Sequence, residues 1–263
     1  MIRSPLGLRL NPAQPIRDQV REAAKLGAKG VVMDAVGDLA PDRLSETGRR
    51  ELRHVLRSVE LAPIALHLPT KRPFDTLDQL DDRLRRAESA FNLAYELGMT
   101  LVLARVGGVP PESEADRRQV WLGAIRELGR RGDHHGVRLA IETGSEPGQV
   151  LREVLDALDN GTGLAASIDP ASLLAQGHDP VATTRALGPR VAHAYLNDAT
   201  TAATRVAMAN PRGQGFPAGS LDWEDYLGAF EEINYRGYLT IWPDPNRPAG
   251  PQFTAMADQL KRF

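Results

Sequence analysis

The sequence predicts an α/β fold, a single (β/α)8 TIM barrel spanning residues 1–263. Three observations carry that expectation. Eight short apolar, β-branched runs recur at roughly even intervals, sequence of helical period separates most of them, and the length fits the roughly 250 residues that eight β-then-α units need.

The runs, in order, are LGLRL, GVVMDA, IALHLP, LVLARVG, LAIETG, LAASIDP, VAHAYLND and YLTIW. They are apolar throughout, as parallel strands are when one face meets the barrel interior and the other a helix layer. Nearly every run ends on a polar side chain just before a Gly, a Pro or a helix start: Arg9, Asp34, His67, Arg105, Glu142, Asp169, Tyr195 and Trp242. Barrels of this class build their sites at the C-terminal strand ends, so these side chains are expected to face one pocket.

Apolar spacing marks the helices. Leu52, Val55, Leu56 and Val59 define the second, and Leu77, Leu80, Leu84, Ala87, Phe91 and Ala94 the third, with Thr76 as its N-cap and Gly98 as its stop. Val150, Leu151, Val154, Leu155 and Leu158 define the fifth. Tyr226, Leu227, Phe230 and Ile233 define the last major helix, begun by Asp222 as N-cap and ended by Gly237. Residues 199–220 show no amphipathic period. Their two readings are a substrate or phosphate lid carrying Arg205 and Arg212, and a plain surface excursion. Arg212 opens an Arg-Gly-Gln-Gly turn, a short phosphate-cradle pattern of low specificity.

Composition narrows the function. The 32 basic and 34 acidic residues are interleaved, which argues against a nucleic-acid footprint or a membrane-surface helix. No cysteine is present, which excludes disulfides, thiolate ligands and a cysteine nucleophile. Neither a signal-peptide run nor about 18 consecutive apolar residues occurs, so a cytoplasmic location is the default expectation.

Glu142 and Asp169 are the sharpest chemical pair. Carboxylates at adjacent strand ends bind a divalent cation through oxygen or shift each other's pKa for proton transfer; either alone serves equally well as a helix cap. Their occurrence in consecutive units favours a site.

The stretches LAIETG, SIDPASLLAQGHDPV, VAHAYLNDA and GSLDWEDYLGAFEEINYRGYLTIW resemble the second half of the sugar phosphate isomerase/epimerase family with the xylose-isomerase-like TIM barrel. The resemblance implies a divalent metal held by a strand-five Glu, a strand-six Asp, a strand-seven His and a strand-eight Glu, with proton transfer through an enediolate. Glu142 and Asp169 match the first two ligands, and Glu142 the catalytic base; the other two positions fall on Tyr195 and Trp242, which are not ligand types. The expectation is a degenerate site for Mn²⁺, Mg²⁺ or Zn²⁺ and no nucleotide cofactor. Loss of the strand-eight Glu removes a second base and favours isomerisation over epimerisation.

Substrate-binding expectations fall on Arg9, His67, Arg105, His193, Tyr195, Arg212 and Trp242. Arg9 and Arg105 either hold an anionic ligand or pair internally with Asp34 and Glu142, the latter being preferred. His193, facing the same way as Tyr195, reads first as a hydrogen-bonded core residue. Tyr195 and Trp242 suit the apolar face of a sugar, whereas Tyr238 reads as core. Asp244, between two prolines, is a weak replacement ligand. His54, His134, His135 and His178 read as solvated. The leading function is a sugar isomerase/epimerase-like enzyme; the alternative is a sugar-binding or regulatory barrel without catalysis. The partner is a small sugar, with no nucleic acid and no membrane, and a homodimer is expected by analogy alone.

Overall fold

A computed structural model describes residues 4–158, 163–198 and 221–261. Eight parallel strands close on themselves in sequence order: β1 (Leu6–Arg9), β2 (Gly30–Asp34), β3 (Ala62–Leu68), β4 (Leu101–Ala104), β5 (Arg138–Glu142), β6 (Leu164–Ile168), β7 (Val191–Leu196) and β8 (Leu239–Ile241). β1 pairs with β8 through Leu6 and Leu239, which completes the barrel.

Strand periodicity of two sorts the side chains. Val31, Met33, Val102, Leu139, Ile141, Ala166, Ile168, Ala194 and Leu196 point outward into the large apolar layer beneath the helices, while Val32, Ala65, Leu103, Ala140, Ala165 and Tyr195 fill the interior. Small interior residues make room for large ones. At Gly7 a Cβ would overlap the side chains of Ile64 and Thr240, which fill the space that glycine leaves at the barrel floor. Counting on by two from Ala140, Ala165 and Leu103 brings Glu142, Asp169 and Arg105 to the inward face at the C-terminal rim.

The helices are α1 (Ile16–Lys25), α2 (Glu46–Ser58), α3 (Leu80–Leu97), α4 (Ala115–His134), α5 (Gly148–Leu158), α6 (Pro170–Ala175), α7 (Pro180–Leu187), α8 (Trp223–Glu232) and α9 (Ala249–Leu260). Their apolar stripes fall where the spacing placed them, with four differences. Val150, read into the stripe of α5, is exposed. α3 starts at Leu80 behind Gln79, which has φ +51°, and not behind Thr76; Leu77 is exposed. The guanidinium of Arg83 explains the delay, because it takes the carbonyls of Thr76 and Asp78 that would otherwise begin the helix. α8 ends at Glu232, where Asn234 turns left-handed at φ +53°; Gly237 instead lies under the Tyr235 ring. α9 is a further helix beyond the one read as last.

The segment 199–220, with Arg205 and Arg212, lies outside the described residues. Among the described residues, no helix is long and apolar enough to cross a membrane.

Candidate functional site

The inward strand-end residues meet at the C-terminal mouth in two layers. In the lower, His193 is fully buried, with Nδ1 2.8 Å from Ser167 Oγ and Nε2 2.9 Å from Thr240 Oγ1. Burial pushes its imidazole down to about 3, so the ring stays neutral and has no nitrogen free for a ligand. It is a core histidine that supports the Tyr195 ring, 4.6 Å away between centroids.

The upper layer centres on Arg9. Its Nε and Nη2 form a fork on Asp34 at 3.2 and 3.1 Å, Nη1 donates to the Tyr195 hydroxyl at 3.0 Å, and the group lies 3.7 Å from the Trp242 ring centroid. Tyr195 is wholly buried, and burial pushes its phenol well above the ordinary value. Tyr195 and Trp242 therefore form the backing of an arginine, their centroids 4.8 Å apart, and Tyr195 presents no ring face to solvent.

His67 stands between the two charge pairs. Nδ1 is 2.8 Å from Arg9 Nη2 and 3.4 Å from Asp34, while Nε2 is 3.5 Å from Glu142 Oε2. Burial and Arg9 push the imidazole down, and Glu142 and Asp34 hold it up, with the balance above the ordinary value. An arginine never gives up its proton, so in the neutral ring Nδ1 accepts from Arg9 at 2.8 Å and the ring proton sits on Nε2, towards Glu142. A second proton on His67 requires Arg9 to shift.

Glu142 has a side chain with no exposed surface, and neither carboxylate oxygen has a hydrogen-bond partner among the described residues. Three cationic or proton-bearing groups surround it: His67 Nε2 and Arg105 Nε at 3.5 Å and Arg9 Nη1 at 3.9 Å. Burial alone would raise its pKa; His67, Arg105 and Arg9 outweigh it and hold the carboxyl well below the ordinary range.

Asp169 is the opposite case. It is the N-cap of α6, and its oxygens accept from Ser172 N at 3.2 Å, Asn197 Nδ2 at 3.1 Å, Ser172 Oγ at 2.6 Å and Arg105 Nη2 at 2.9 Å. A carboxylate offers about four lone-pair sites, and all four are taken.

This donor set does not fit the divalent metal implied by the sequence resemblance. Asp169 has no free lone pair, Tyr195 is a neutral phenol already bonded to Arg9, and the Trp242 indole offers no ligand. Among the described residues, no three His, Cys, Asp or Glu side chains assemble around a common point. Asp244 turns aside to accept from Asn246.

A cavity of about 600 Å³ opens beside this network, lined by Arg9, Asp34, Trp242, Asn11, Gln14 and Arg247 among others. That is the size of a small-molecule site. Glu142 and Asp169 are not part of its wall, being covered by Arg105 and His67. Tyr238 precedes β8 at the opposite end and packs on the interior cluster.

Three residues of the mouth escaped the sequence reading. Ser172 was legible as the third residue after an N-cap, and Asn197 as a polar residue closing a strand run. Glu146 carried no such signal. It lies in the loop after β5, accepts from Val109 N at 3.3 Å, and is pushed by burial up to about 7.

The profile of the family described as "Xylose isomerase-like TIM barrel" matches residues 20–262. Among solved structures, a xylose isomerase domain protein from Planctomyces limnophilus is 19% identical, with a TM-score of 0.77 over 98% of this chain and 95% of that one. A D-psicose 3-epimerase from Clostridium cellulolyticum H10, solved with D-tagatose, is 12% identical, with a TM-score of 0.78 over 98% of each chain. A probable 3-DHS dehydratase from Bacillus anthracis is 14% identical, with a TM-score of 0.75 over 98% of each chain. At these identities the likeness is one of fold. A comparison with curated proteins finds no match.

Proposed function

This chain belongs to the xylose isomerase-like TIM-barrel family, and on that premise we propose that it binds a small sugar or sugar phosphate at the barrel mouth and moves a proton along its carbon chain. The observation that carries the reading is the buried Glu142 carboxylate, with neither oxygen hydrogen-bonded among the described residues and three positively polarised groups around it.

An oxygen that accepts no hydrogen bond keeps its lone pairs for a carbon-bound proton, and nearby guanidinium groups stabilise the oxyanion that forms when that proton leaves. Glu142 takes the proton, the C–H electron pair becomes the C=C bond of an enediolate, and the carbonyl oxygen gains the charge. Returning the proton to the neighbouring carbon, while the hydroxyl proton passes from one enediolate oxygen to the other, completes an isomerisation on one face. The same groups cover Glu142 and make it a weak base at rest, so Arg105 or His67 moves aside to admit the substrate and turns to the ligand oxygen as the charge moves there. Trp242 at the eighth strand end supplies no second carboxylate, which disfavours epimerisation. No step runs through a metal, because the donors do not suit one.

Proton exchange into D-fructose, D-allulose and D-tagatose in heavy water, followed by NMR, tests the reading. Exchange with one of these sugars, lost at least a thousandfold in Glu142→Gln, is the expected result. A second reading, a sugar-binding barrel without catalysis, is favoured by Tyr195 and Trp242, both engaged with Arg9. A sugar that raises the thermal midpoint without exchanging its protons selects that reading.

A further inference from the structure

Two buried carboxylates on neighbouring strands converge on one cation, and that cation is a side chain. Arg105 Nη2 lies 2.9 Å from Asp169 Oδ2 and its Nε 3.5 Å from Glu142 Oε2, so one guanidinium ties the ends of β4, β5 and β6 together. The carboxylates have side-chain exposures of 0% and 2%, whereas the Arg105 side chain is 54% exposed. Nη1 takes part in neither contact. A planar guanidinium suits this position, because its fork spans two carboxylates while leaving one nitrogen over, which an ammonium group does not do.

A bound divalent ion in this place would bridge the carboxylates, offset their charge and keep one side open to a ligand. Arg105 does all three. A metal ion entering beside it would meet a like charge and an Asp169 whose lone pairs are filled. We propose that the Arg105 guanidinium is the built-in cation of this site: it excludes divalent metal from between Glu142 and Asp169 and offers Nη1 to a negatively charged ligand oxygen in the metal's stead. The inference deepens the sugar reading and rests on it only for the identity of the ligand.

The test uses the full chain. Free Mn²⁺ is followed by electron paramagnetic resonance during titration, and the thermal midpoint is read in EDTA and in Mn²⁺. The native protein is expected to take up no stoichiometric Mn²⁺ and to keep its midpoint. Arg105→Ala, which frees Glu142 and one lone pair of Asp169, is expected to bind one Mn²⁺ per chain and to lose it again when combined with Asp169→Asn. Arg105→Lys, the milder variant if Arg105→Ala does not fold, is expected to remain metal-free. One equivalent of Mn²⁺ on the native chain, lost in Glu142→Gln, overturns the proposal; so does a folded Arg105→Ala that binds none. The ligand-facing half is read with oxalate, a planar dianion of enediolate shape, in EDTA: native binding that weakens tenfold or more in Arg105→Ala supports it, and equal binding in the two overturns it. Absence of sugar proton exchange with these results intact would sink the catalytic reading alone.

Discussion

Arg9 directs every donor nitrogen inward, to Asp34, His67 and Tyr195, with Trp242 across its face. Removing one member of such a buried set leaves the others charged and unpaired, so Arg9→Ala is expected to cost roughly 3–5 kcal/mol in urea unfolding. Tyr195→Phe removes only a neutral acceptor and is expected to cost about 1–2 kcal/mol. A similar loss for both would mean that Arg9 is not paired as described. The strand-end positions of these residues were legible in the sequence, because a polar side chain closing an apolar run is a local pattern. Their pairings were not. Arg9 reaches Tyr195 across 186 positions and His67 across 58, and no local pattern specifies a contact at that range.

At the scale of the element, periodicity located helices and strands, and caps set their ends. Asp222 is both the sequence-read and the actual N-cap of α8, accepting from Asp225 N at 3.1 Å. Asp222→Ala is expected to lower stability by about 1 kcal/mol. Thr76 matched the same residue preference but caps nothing, since Arg83 holds the backbone there. Thr76→Ala is therefore expected to change stability by less than about 0.5 kcal/mol, measured by the same unfolding. Of the two readings the sequence left open for Asp169, the structure shows the helix cap, and the cap takes two of its four lone-pair sites.

Across the whole molecule, burial of Glu146 and His193 shapes the dependence of stability on pH. Glu146 is raised from 4.5 to about 7, so its penalty is absent below 4.5 and complete above about 7. His193 is lowered from 6.5 to about 3, so its contribution is complete above 6.5 and is lost as pH falls. Between 4.5 and 6.5 the two slopes, each about 1.4 kcal/mol per pH unit, oppose each other and leave the native protein nearly level. Glu146→Gln keeps an acceptor for Val109 but removes the titration. Urea unfolding at a series of pH values is expected to show the variant on the order of 3 kcal/mol more stable than the native chain at pH 8 and equal to it near pH 4.5. A difference independent of pH would place the Glu146 proton elsewhere. By itself the sequence determined the barrel, the strand ends and the residue types at the mouth, because strand and helix periods are local and eight βα units have one common way to close. Only the tertiary structure decided what those residues do to one another: that Arg9 fills the aromatic half, that Arg105 stands between Glu142 and Asp169, and that neither Glu142 oxygen is hydrogen-bonded among the described residues. Charge pairing depends on ångström distances between side chains from different strands, and barrel closure sets those distances.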